Sequence, residues 1–454
     1  MENSGVFIIG VSDCKQEVCA ASGRISTQNG TALEIFEKSH DEEKNTKLID
    51  KVTRSGHTST VEHVFFNLAF ENVSVVVEQF MIEFRLASFT VKSRRYVDFA
   101  DCGYFVPDFK DEAIKKTYKD NMGKFFEAYS FLIENGIPKE DARFVLPYCF
   151  YSNFYCSLNG REIINVIRAM LYGRGSRIAE IRALGESLLE QCRKLTPGLF
   201  VDFEEKNKSY CDEIDLGFSF ERAKSNSLCD IISYTRDGEK NVAMTALIEN
   251  YNCSNEDAEN ILEDSDNVEK IIKAVFNSSR PRALESFNCT VRFNGVSLAC
   301  LTHFARHRMQ SICIPNLLKA SRESYIIPET VKSDETLLDV YVSCFERMKD
   351  FYNEMKESGA GDSELVYCVL SGNTLDFVSS LNGRELQLFF RLRSCTRAQW
   401  EIQAYCNELL PKLRKIAPLL FINYGPSCYV SGKCPEGKFS CGRMLEMKEK
   451  FSKM

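Results

Sequence analysis

Ser-Leu-Asn-Gly-Arg-Glu stands at residues 157–162 and returns unchanged at residues 380–385, an offset of 223. A constant register indicates duplication, and a period this long exceeds that of solenoid repeats, so each copy is predicted to be a whole domain. The same offset relates further pairs of identical residues, which are Glu62 and Glu285, Ser74 and Ser297, Arg85 and Arg308, and Ser88 and Ser311.

Beyond the hexapeptide the register slips by two residues. Ala-Glu-Ile at 179–181 matches Trp-Glu-Ile at 400–402 with an offset of 221, so the first copy has two extra residues within 172–177. Each copy then closes with a predicted amphipathic helix, which Pro197 or Pro418 ends. The apolar faces consist of Ile181, Leu184, Leu188, Leu189, Cys192 and Leu195, and of Ile402, Cys406, Leu409, Leu410, Leu413 and Ile416.

Upstream of the hexapeptide, residues 64–70 and 288–293 are rich in strand-forming side chains. Helices and strands mix without regular alternation, which predicts an α+β fold for each copy, with a mixed sheet and long helices. The first domain is predicted at 1–205, a polar linker at 206–216, and the second domain, which carries a cysteine-bearing tail, at 217–454.

The composition is typical of a globular protein, with 44% hydrophobic and 27% charged residues among 454. A net charge of −7 without a long basic run argues against nucleic-acid or membrane partners, but it does not exclude a local basic pocket. The first residues are interpreted as a strand and not a signal peptide, and no run approaches the roughly 18 apolar residues of a membrane span. Nineteen cysteines without such a signal predict reduced thiols in the cytoplasm.

Three short motifs contain groups that bind anions. Arg306-His307-Arg308 suits phosphate or another anion, although taken alone a surface position is the more common explanation for such a motif. In Ser93-Arg94-Arg95-Tyr96 a hydroxyl and a guanidinium two residues apart lie on one side of an extended segment, where they can hold a phosphate. A solvated basic turn is the alternative for that motif.

The third motif is Gly-His-Thr-Ser-Thr-Val-Glu-His at 56–63, just before a predicted strand. Small hydroxyl groups beside a glycine can offer donors to an anion. The alternative is a helix start, with Thr58 or Ser59 as N-cap and Glu62 in the capping-box position. The two interpretations do not exclude each other.

Together with several downstream segments, these motifs resemble the flavin-dependent thymidylate synthases, the ThyX family. The resemblance implies reductive methylation of dUMP to dTMP, with FAD as cofactor and with NADPH and methylene tetrahydrofolate as co-substrates. No Gly-x-Gly-x-x-Gly follows a predicted strand, which fits a flavin site outside a Rossmann fold. The downstream segments are Ala142-Arg143-Phe-Val-Leu-Pro147, Asn159-Gly-Arg161, Asn382-Gly-Arg384, Leu392-Arg393 and Ala398-Gln-Trp-Glu-Ile402.

The resemblance also implies a role for each matching residue. Arg306 and Arg393 are the predicted catalytic residues, which would hold the uracil and stabilise the charge that develops on it. The predicted dUMP site consists of Ser93, Arg95, Arg143, His303, Arg306 and Arg393. The predicted FAD site consists of His57, Ser59, Glu62, Asn159, Arg161, Asn165, His307, Arg308, Asn382 and Arg384.

The two copies have lost complementary parts of this set. Arg306-His307-Arg308 falls on Glu83-Phe84-Arg85 of the first copy, whereas Ser93 and Arg95 fall on Asn316 and Leu318 of the second. The resemblance implies sites that lie at the subunit junctions of a homotetramer. We therefore expect composite sites that join one first copy and one second copy, in a homodimer that acts as a pseudo-tetramer.

Two departures from the family pattern favour an alternative. Val91 and Ile314 occupy the positions of a family glutamate, and His303 and Phe80 occupy those of a family glutamine. The alternative is a catalytically altered relative that binds nucleotide or flavin without making dTMP. A third hypothesis, a structural duplicate without ligand, is disfavoured by the matching retention of arginines.

The tail contains Cys428, Cys434 and Cys441 at spacings that lack the paired Cys-x-x-Cys of structural zinc sites. We expect reduced thiols there and no metal.

Overall fold

The computed structural model describes residues 4–218, 220 and 225–454. The chain divides into two compact units. The first unit contains Met1–Glu221 together with Tyr325–Asn373, and the second contains Arg222–Ser324 together with Thr374–Met454. This division does not follow the two copies, because residues 325–373 belong to the second copy by sequence. The domain boundaries derived from the repeat stay a prediction of where each copy begins and ends.

The elements of the first copy all lie in the first unit. The strands are β1 (Gly5–Val11), β2 (Phe65–Ser74), β3 (Ser88–Val91) and β4 (Tyr151–Asn159). The helices are α1 (Glu17–Ile25), α2 (Ala32–Glu37), α3 (Glu42–Arg54), α4 (Val75–Ile82), α5 (Glu112–Glu134), α6 (Lys139–Ala142), α7 (Gly160–Leu171), α8 (Ala179–Leu195) and α9 (Phe203–Asn207). Short 3-10 turns cover Thr58–His63, Arg143–Val145 and Pro197–Leu199.

The second copy repeats this order with a different start. Its strands are β5 (Cys229–Tyr234), β6 (Asn288–Ser297), β7 (Ser311–Cys313) and β8 (Thr374–Asn382). Its helices are α10 (Gly238–Tyr251), α11 (Asn255–Leu262), α12 (Ser265–Asn277), α13 (Leu298–Ala305), α14 (Glu329–Lys332), α15 (Glu335–Glu357), α16 (Asp362–Leu365), α17 (Gly383–Arg393), α18 (Trp400–Ile416), α19 (Pro418–Phe421), α20 (Ser427–Val430) and α21 (Met444–Lys453). Further 3-10 turns cover Arg282–Ser286, Leu317–Lys319 and Gly437–Phe439.

Each unit contains one four-stranded sheet with the same topology, β1-β2-β4-β3 in the first and β5-β6-β8-β7 in the second. The α+β class is confirmed. The expectation of a mixed sheet is wrong, because every strand pair in the described chain is antiparallel. Each connection between paired strands brings the chain back in the opposite direction. The order of helices and strands along the sequence does not show this.

Along the strands, apolar and polar side chains alternate, so the apolar side chains share one face of each sheet and that face is buried. In the first sheet Phe70 stacks on Phe154 with ring centroids 4.4 Å apart. In the second sheet Phe293 stacks on Phe377 at 5.1 Å. These two pairs are related by the 223-residue offset, so the cores of the two copies retain the same central contact.

The long helices of both copies, α5 and α15, lie together in the first unit, where the rings of Tyr118 and Phe351 are 6.0 Å apart. Beside them the backbone forms a symmetric pair of hydrogen bonds. The N–H of Tyr148 donates to Val369 at 2.9 Å, and the N–H of Ser371 donates to Leu146 at 2.9 Å. Tyr148 and Ser371 are 223 positions apart, as are Leu146 and Val369, so this unit contains a local pseudo-two-fold relation between the copies.

The predicted closing helices are confirmed as α8 and α18, each ending two residues before the predicted proline. The slip in register is also visible in the packing. The backbone N–H of Ser74 donates to Glu180 at 2.8 Å, and that of Ser297 donates to Glu401 at 2.8 Å. The serines differ by 223 positions and the glutamates by 221, so the same buried contact spans the insertion.

Within the described part of the chain, no helix is both long and apolar enough to cross a membrane.

Candidate functional site

The repeated hexapeptide joins a strand to a helix in each unit. Asn159 caps α7 by accepting the N–H of Glu162 at 2.9 Å, and Asn382 caps α17 in the same way at 2.8 Å. A residue without a side chain is needed at position 160, because a Cβ there would lie 2.3 Å from the carbonyl oxygen of Val61. The hexapeptide is therefore retained partly for its turn, whatever ligand its polar groups contact.

The arginine of each hexapeptide pairs with the glutamate of the segment before the central strand. Arg161 contacts Glu62 at 2.8 Å, and Arg384 contacts Glu285 at 2.7 Å. These contacts gather part of the predicted FAD site in each unit.

The helix-start interpretation of residues 56–63 is wrong in its details. Residues 58–63 form a 3-10 turn, and His57 stands at the N-cap position without a side-chain capping bond. His57 and Ser59 are both exposed, so their side chains face solvent on the same turn as Glu62.

The predicted phosphate-binding residues of the first copy meet around one acidic residue that the sequence did not single out. Arg95 forms an ion pair with Glu140, with Nε and Oε1 2.7 Å apart. Arg143, which is buried, donates from Nε to the backbone carbonyl of Glu140 at 3.0 Å. The hydroxyl of Ser93 accepts the N–H of Arg95 at 3.4 Å. The arrangement brings all three predicted residues together, with a carboxylate against the Arg95 guanidinium.

Beneath this cluster lies a buried ion pair that sequence reasoning also missed. Arg94 contacts Glu78, whose other oxygen accepts the hydroxyl of Ser152. Both charged side chains are almost fully buried, so each stabilises the other. In the second copy the corresponding residues are Leu301, Leu317 and Leu375, and comparing the two copies position by position would have revealed this difference.

The second unit contains a chain of contacts through His307. Its Nδ1 lies 2.7 Å from Oε1 of Glu385, and its Nε2 accepts the Nε–H of Arg393 at 2.9 Å. His307 and Glu385 are both buried, with 3% of each residue exposed. Arg306 and Arg308, on either side of this histidine, are exposed at the end of α13.

The histidine in this chain is held in its neutral form. Burial lowers the pKa of His307 and the neighbouring Arg393 lowers it further, while the hydrogen bond with Glu385 acts in the opposite direction. A neutral imidazole has one donor and one acceptor nitrogen. The acceptor must be Nε2, because Arg393 can only donate.

The first copy has a different structure at the equivalent position. Glu83, the counterpart of Arg306, is paired with Arg174 at 3.1 Å. The Arg174 guanidinium also lies over the rings of Phe80 and Phe84, at 5.3 and 5.6 Å. Burial raises the pKa of Glu83, which the charge of Arg174 partly offsets. Arg174 lies in the segment 172–177 that contains the two extra residues, so this segment supplies the cation for the carboxylate.

A cleft of about 560 Å³ opens in the second unit beside the hexapeptide. Its lining includes the predicted FAD residues Asn382 and Arg384, together with Glu285 and Arg391. Apolar surface comes from Phe276, Pro281 and Met309. This mixture of guanidinium groups and apolar surface suits a ligand with both phosphates and a ring system.

Across the described residues, no group of three His, Cys, Asp or Glu side chains is placed to hold a metal. All nineteen cysteines are free thiols.

The two copies share an α+β fold, and each contains arginine side chains of the kind that can bind an anion. The family described as thymidylate synthase complementing protein matches residues 8–198 and 230–419, one match in each copy. The chain belongs to this family of flavin-dependent thymidylate synthases, which confirms the resemblance.

Two relatives that match this chain are each about half as long as it is. The flavin-dependent thymidylate synthase of Clostridium tetani is 30% identical over 240 residues, which is 48% of this chain and 94% of that protein. The one from Geobacter sulfurreducens is 28% identical over 228 residues, 49% of this chain and 97% of that protein. A solved UMP/dUMP methylase from Streptomyces cacaoi, bound with 5-Br dUMP, matches 45% of this chain and 97% of its own with a TM-score of 0.39 and 22% identity.

Proposed function

We propose that the protein converts dUMP to dTMP as a flavin-dependent thymidylate synthase. The observation that carries the proposal is the division of the family's site residues between the two copies. Ser93, Arg95 and Arg143 gather in the first copy, and Arg306, His307 and Arg393 are retained in the second. Random loss after duplication would not leave each copy with the set that the other lacks.

The cluster around Glu140 is proposed to bind the phosphate of dUMP. Phosphate is a stronger partner than a carboxylate for a forked guanidinium, so the Arg95 side chain would exchange Glu140 for the nucleotide. Arg143 is already held by the backbone of α6 and would keep its position. The hydroxyl of Ser93 adds a donor beside them.

Arg306 and Arg393 are proposed to hold the uracil ring. Their positive charge would stabilise negative charge that develops on the ring during methyl transfer, which is an electrostatic contribution to catalysis. His303, buried in α13, would complete this end of the nucleotide site.

FAD fits the groups that the two copies present, and when bound it would supply the relay of hydride from NADPH. Its phosphates would be held by guanidinium and amide groups such as Arg161, Arg384 and Arg308, and its rings would lie against apolar surface like that of the cleft. His57, Ser59, Asn159 and Asn165 would contribute hydrogen bonds from the first copy. Methylene tetrahydrofolate would supply the carbon.

We further propose that each active site combines one first copy and one second copy, and that two chains form a homodimer with the layout of the family's tetramer. Half of the junctions would then be competent. The other half would pair the depleted surfaces, where Glu83 and Arg174 already satisfy each other.

The test is direct. Purified protein should be yellow, with a flavin spectrum, and should form dTMP from dUMP when folate and NADPH are supplied. Arg95→Ala should abolish this activity, whereas Leu318→Ala, the equivalent position of the second copy, should leave it within about twofold. A colourless protein that binds no FAD would exclude the proposal.

The second candidate is a relative that binds nucleotide or flavin without making dTMP. It is favoured by Val91 and Ile314, apolar residues where the family has a glutamate. Complementation of a thymidine-requiring strain separates the two, because growth without thymidine requires the complete reaction.

A further inference from the structure

We propose that Glu385 is a positioning residue that fixes the tautomer of His307, so that the imidazole in turn holds the guanidinium of Arg393. The catalytic consequence rests on the proposed function, since it assigns Arg393 to the uracil. The structural part, a fixed tautomer, stands independently of that assignment.

Glu385, His307 and Arg393 lie in a row, and each ring nitrogen of the histidine has a hydrogen-bond partner. Glu385 lies in the first turn of α17, Arg393 ends the same helix, and His307 follows α13. The two contacts of the imidazole, at 2.7 and 2.9 Å, use both of its nitrogens. Glu385 and Arg393, near opposite ends of α17, thus meet through the buried ring of a residue that lies 78 and 86 positions before them in the chain.

The direction of each hydrogen bond follows from what each partner can do. The carboxylate oxygen of Glu385 accepts, so Nδ1 of His307 carries the hydrogen and donates to it. A guanidinium only donates, so Nε2 offers its lone pair to Arg393. The first turn of a helix favours negative charge, which suits Glu385 in this position.

The alternative tautomer would place an N–H against the Nε–H of Arg393. The guanidinium would then lose its acceptor and would swing away from the imidazole. Arg393, which can only donate, already favours this tautomer, and Glu385 adds an acceptor for the hydrogen on Nδ1, so the two partners select the same form.

The first copy shows the same glutamate without this arrangement. Glu162 occupies the equivalent hexapeptide position, but Phe84 replaces the histidine, and the carboxylate instead accepts the amide of Asn165 at 3.2 Å. The chain therefore contains a matched control for a mutation of Glu385.

The test uses the whole protein with ¹⁵N-labelled histidine, which is feasible because the chain has only five histidines. In the wild type we expect one His307 signal set with Nδ1 protonated and Nε2 unprotonated. Glu385→Gln, which can donate to Nδ1 as well as accept from it, should give the second tautomer or a mixture. Glu162→Gln should leave the His307 signals unchanged. The histidine signals that are absent from the spectrum of His307→Phe are assigned to His307.

Steady-state kinetics supplies the functional readout. Glu385→Gln should lower kcat by about 10-fold or more with a smaller change in KM for dUMP, as expected when a partner that orients an active group is lost. In a His307→Phe background the same substitution should have no further effect, because its influence passes through the imidazole.

The outcomes separate the two proposals. A wild-type His307 that is protonated at Nε2, or a tautomer that Glu385→Gln does not alter, overturns the positioning role even if the enzyme makes dTMP. A wild type that makes no dTMP but has the expected tautomer refutes the proposed function and leaves the structural assignment intact. Because the wild-type spectrum alone tests the tautomer, the inference stays testable if Glu385→Gln does not fold.

Discussion

The residues at equivalent positions of the two copies have diverged in charge, and the carboxylate that stands in the first copy has an ion-pair partner. Where the second copy has Arg306 and His307, the first has Glu83 and Phe84, and Arg174 then supplies the cation. A buried carboxylate without such a partner would be costly. The loss of the anion-binding motif in the first copy was therefore accompanied by a compensating ion pair.

Arg393→Lys is expected to reduce kcat/KM for dUMP by about 100-fold. Lysine keeps the charge but lacks the Nε–H that meets His307 and the planar fork that suits the uracil edge. The rate of dTMP formation measures the effect. Arg292→Lys is the control, since Arg292 is half-exposed and paired with Asp376 on the sheet. Equal losses in both variants would show that Arg393 has no specific role.

Arg94→Leu is expected to lower the free energy of unfolding by about 3–5 kcal/mol, because it leaves the buried carboxylate of Glu78 without its cation. The second copy supplies the rescue. A triple change to leucine at Glu78, Arg94 and Ser152 copies its residues and should recover most of the loss. Urea unfolding measures both variants, and a triple variant no more stable than Arg94→Leu would contradict the explanation.

In each copy the closing helix contacts the first strand, but the side chains that make this contact differ between the copies. In the first copy the amide of Gln191 on α8 contacts the backbone of β1 at Ile8 and Val6, at 3.0 and 2.9 Å. In the second copy α18 uses Glu408 and Lys412 for the corresponding contact with β5. A neutral link has thus become a charged one, which makes it sensitive to pH.

Glu408 gives this link a defined pH range. Partial burial opposes ionisation, but hydrogen bonds from Lys412, Ser227 and the backbone of Leu228 outweigh it and lower the pKa of Glu408 to about 2. A carboxyl with a lowered pKa in the folded state stabilises the protein above its usual value of 4.5. That contribution is lost as the pH falls from 4.5 towards 2.

Glu408→Gln should therefore reduce the melting temperature at pH 7 and make little difference near pH 2. Glu190→Gln on α8, where Glu190 is an exposed partner of Lys194, is the control and should have a small effect at both values. Thermal unfolding followed by circular dichroism measures the difference. The same loss for Glu408→Gln at both pH values would show that the charge is not responsible.

At the scale of the whole molecule, the predicted nucleotide-binding residues are divided between the two copies. Residues 325–373 of the second copy lie in the first unit, where the Tyr148–Val369 and Ser371–Leu146 hydrogen bonds relate the copies by a local two-fold. A contact that two separate subunits could have made is thus made within one chain.

The proposed composite sites predict one FAD per chain, half the number expected if each copy held its own. Absorbance of FAD released from a known amount of protein measures the ratio, and two per chain would contradict the proposal. Arg306→Ala and Arg95→Ala should each be inactive. Activity regained after unfolding and refolding an equal mixture of the two would show that one site draws on two chains.

Linear spacing was enough to establish the duplication, the family, the α+β class, the closing helices and the position of the two-residue slip. The contact of Ser74 with Glu180 and that of Ser297 with Glu401 confirm that the register slips by two residues. These features are local or repeat at a fixed offset, so a single sequence contains them. The antiparallel pairing of every described strand did not follow, because strand direction depends on how the connections turn back.

The sequence by itself determined which chemical groups each copy retains, because charge and spacing are properties of the chain. Only the tertiary structure decided what those groups contact. It placed Glu140 against Arg95, Arg174 against Glu83, and His307 between Glu385 and Arg393. Each of these contacts joins residues that no periodicity links, and burial then makes pairing obligatory, since a charge removed from water must find its partner inside the protein.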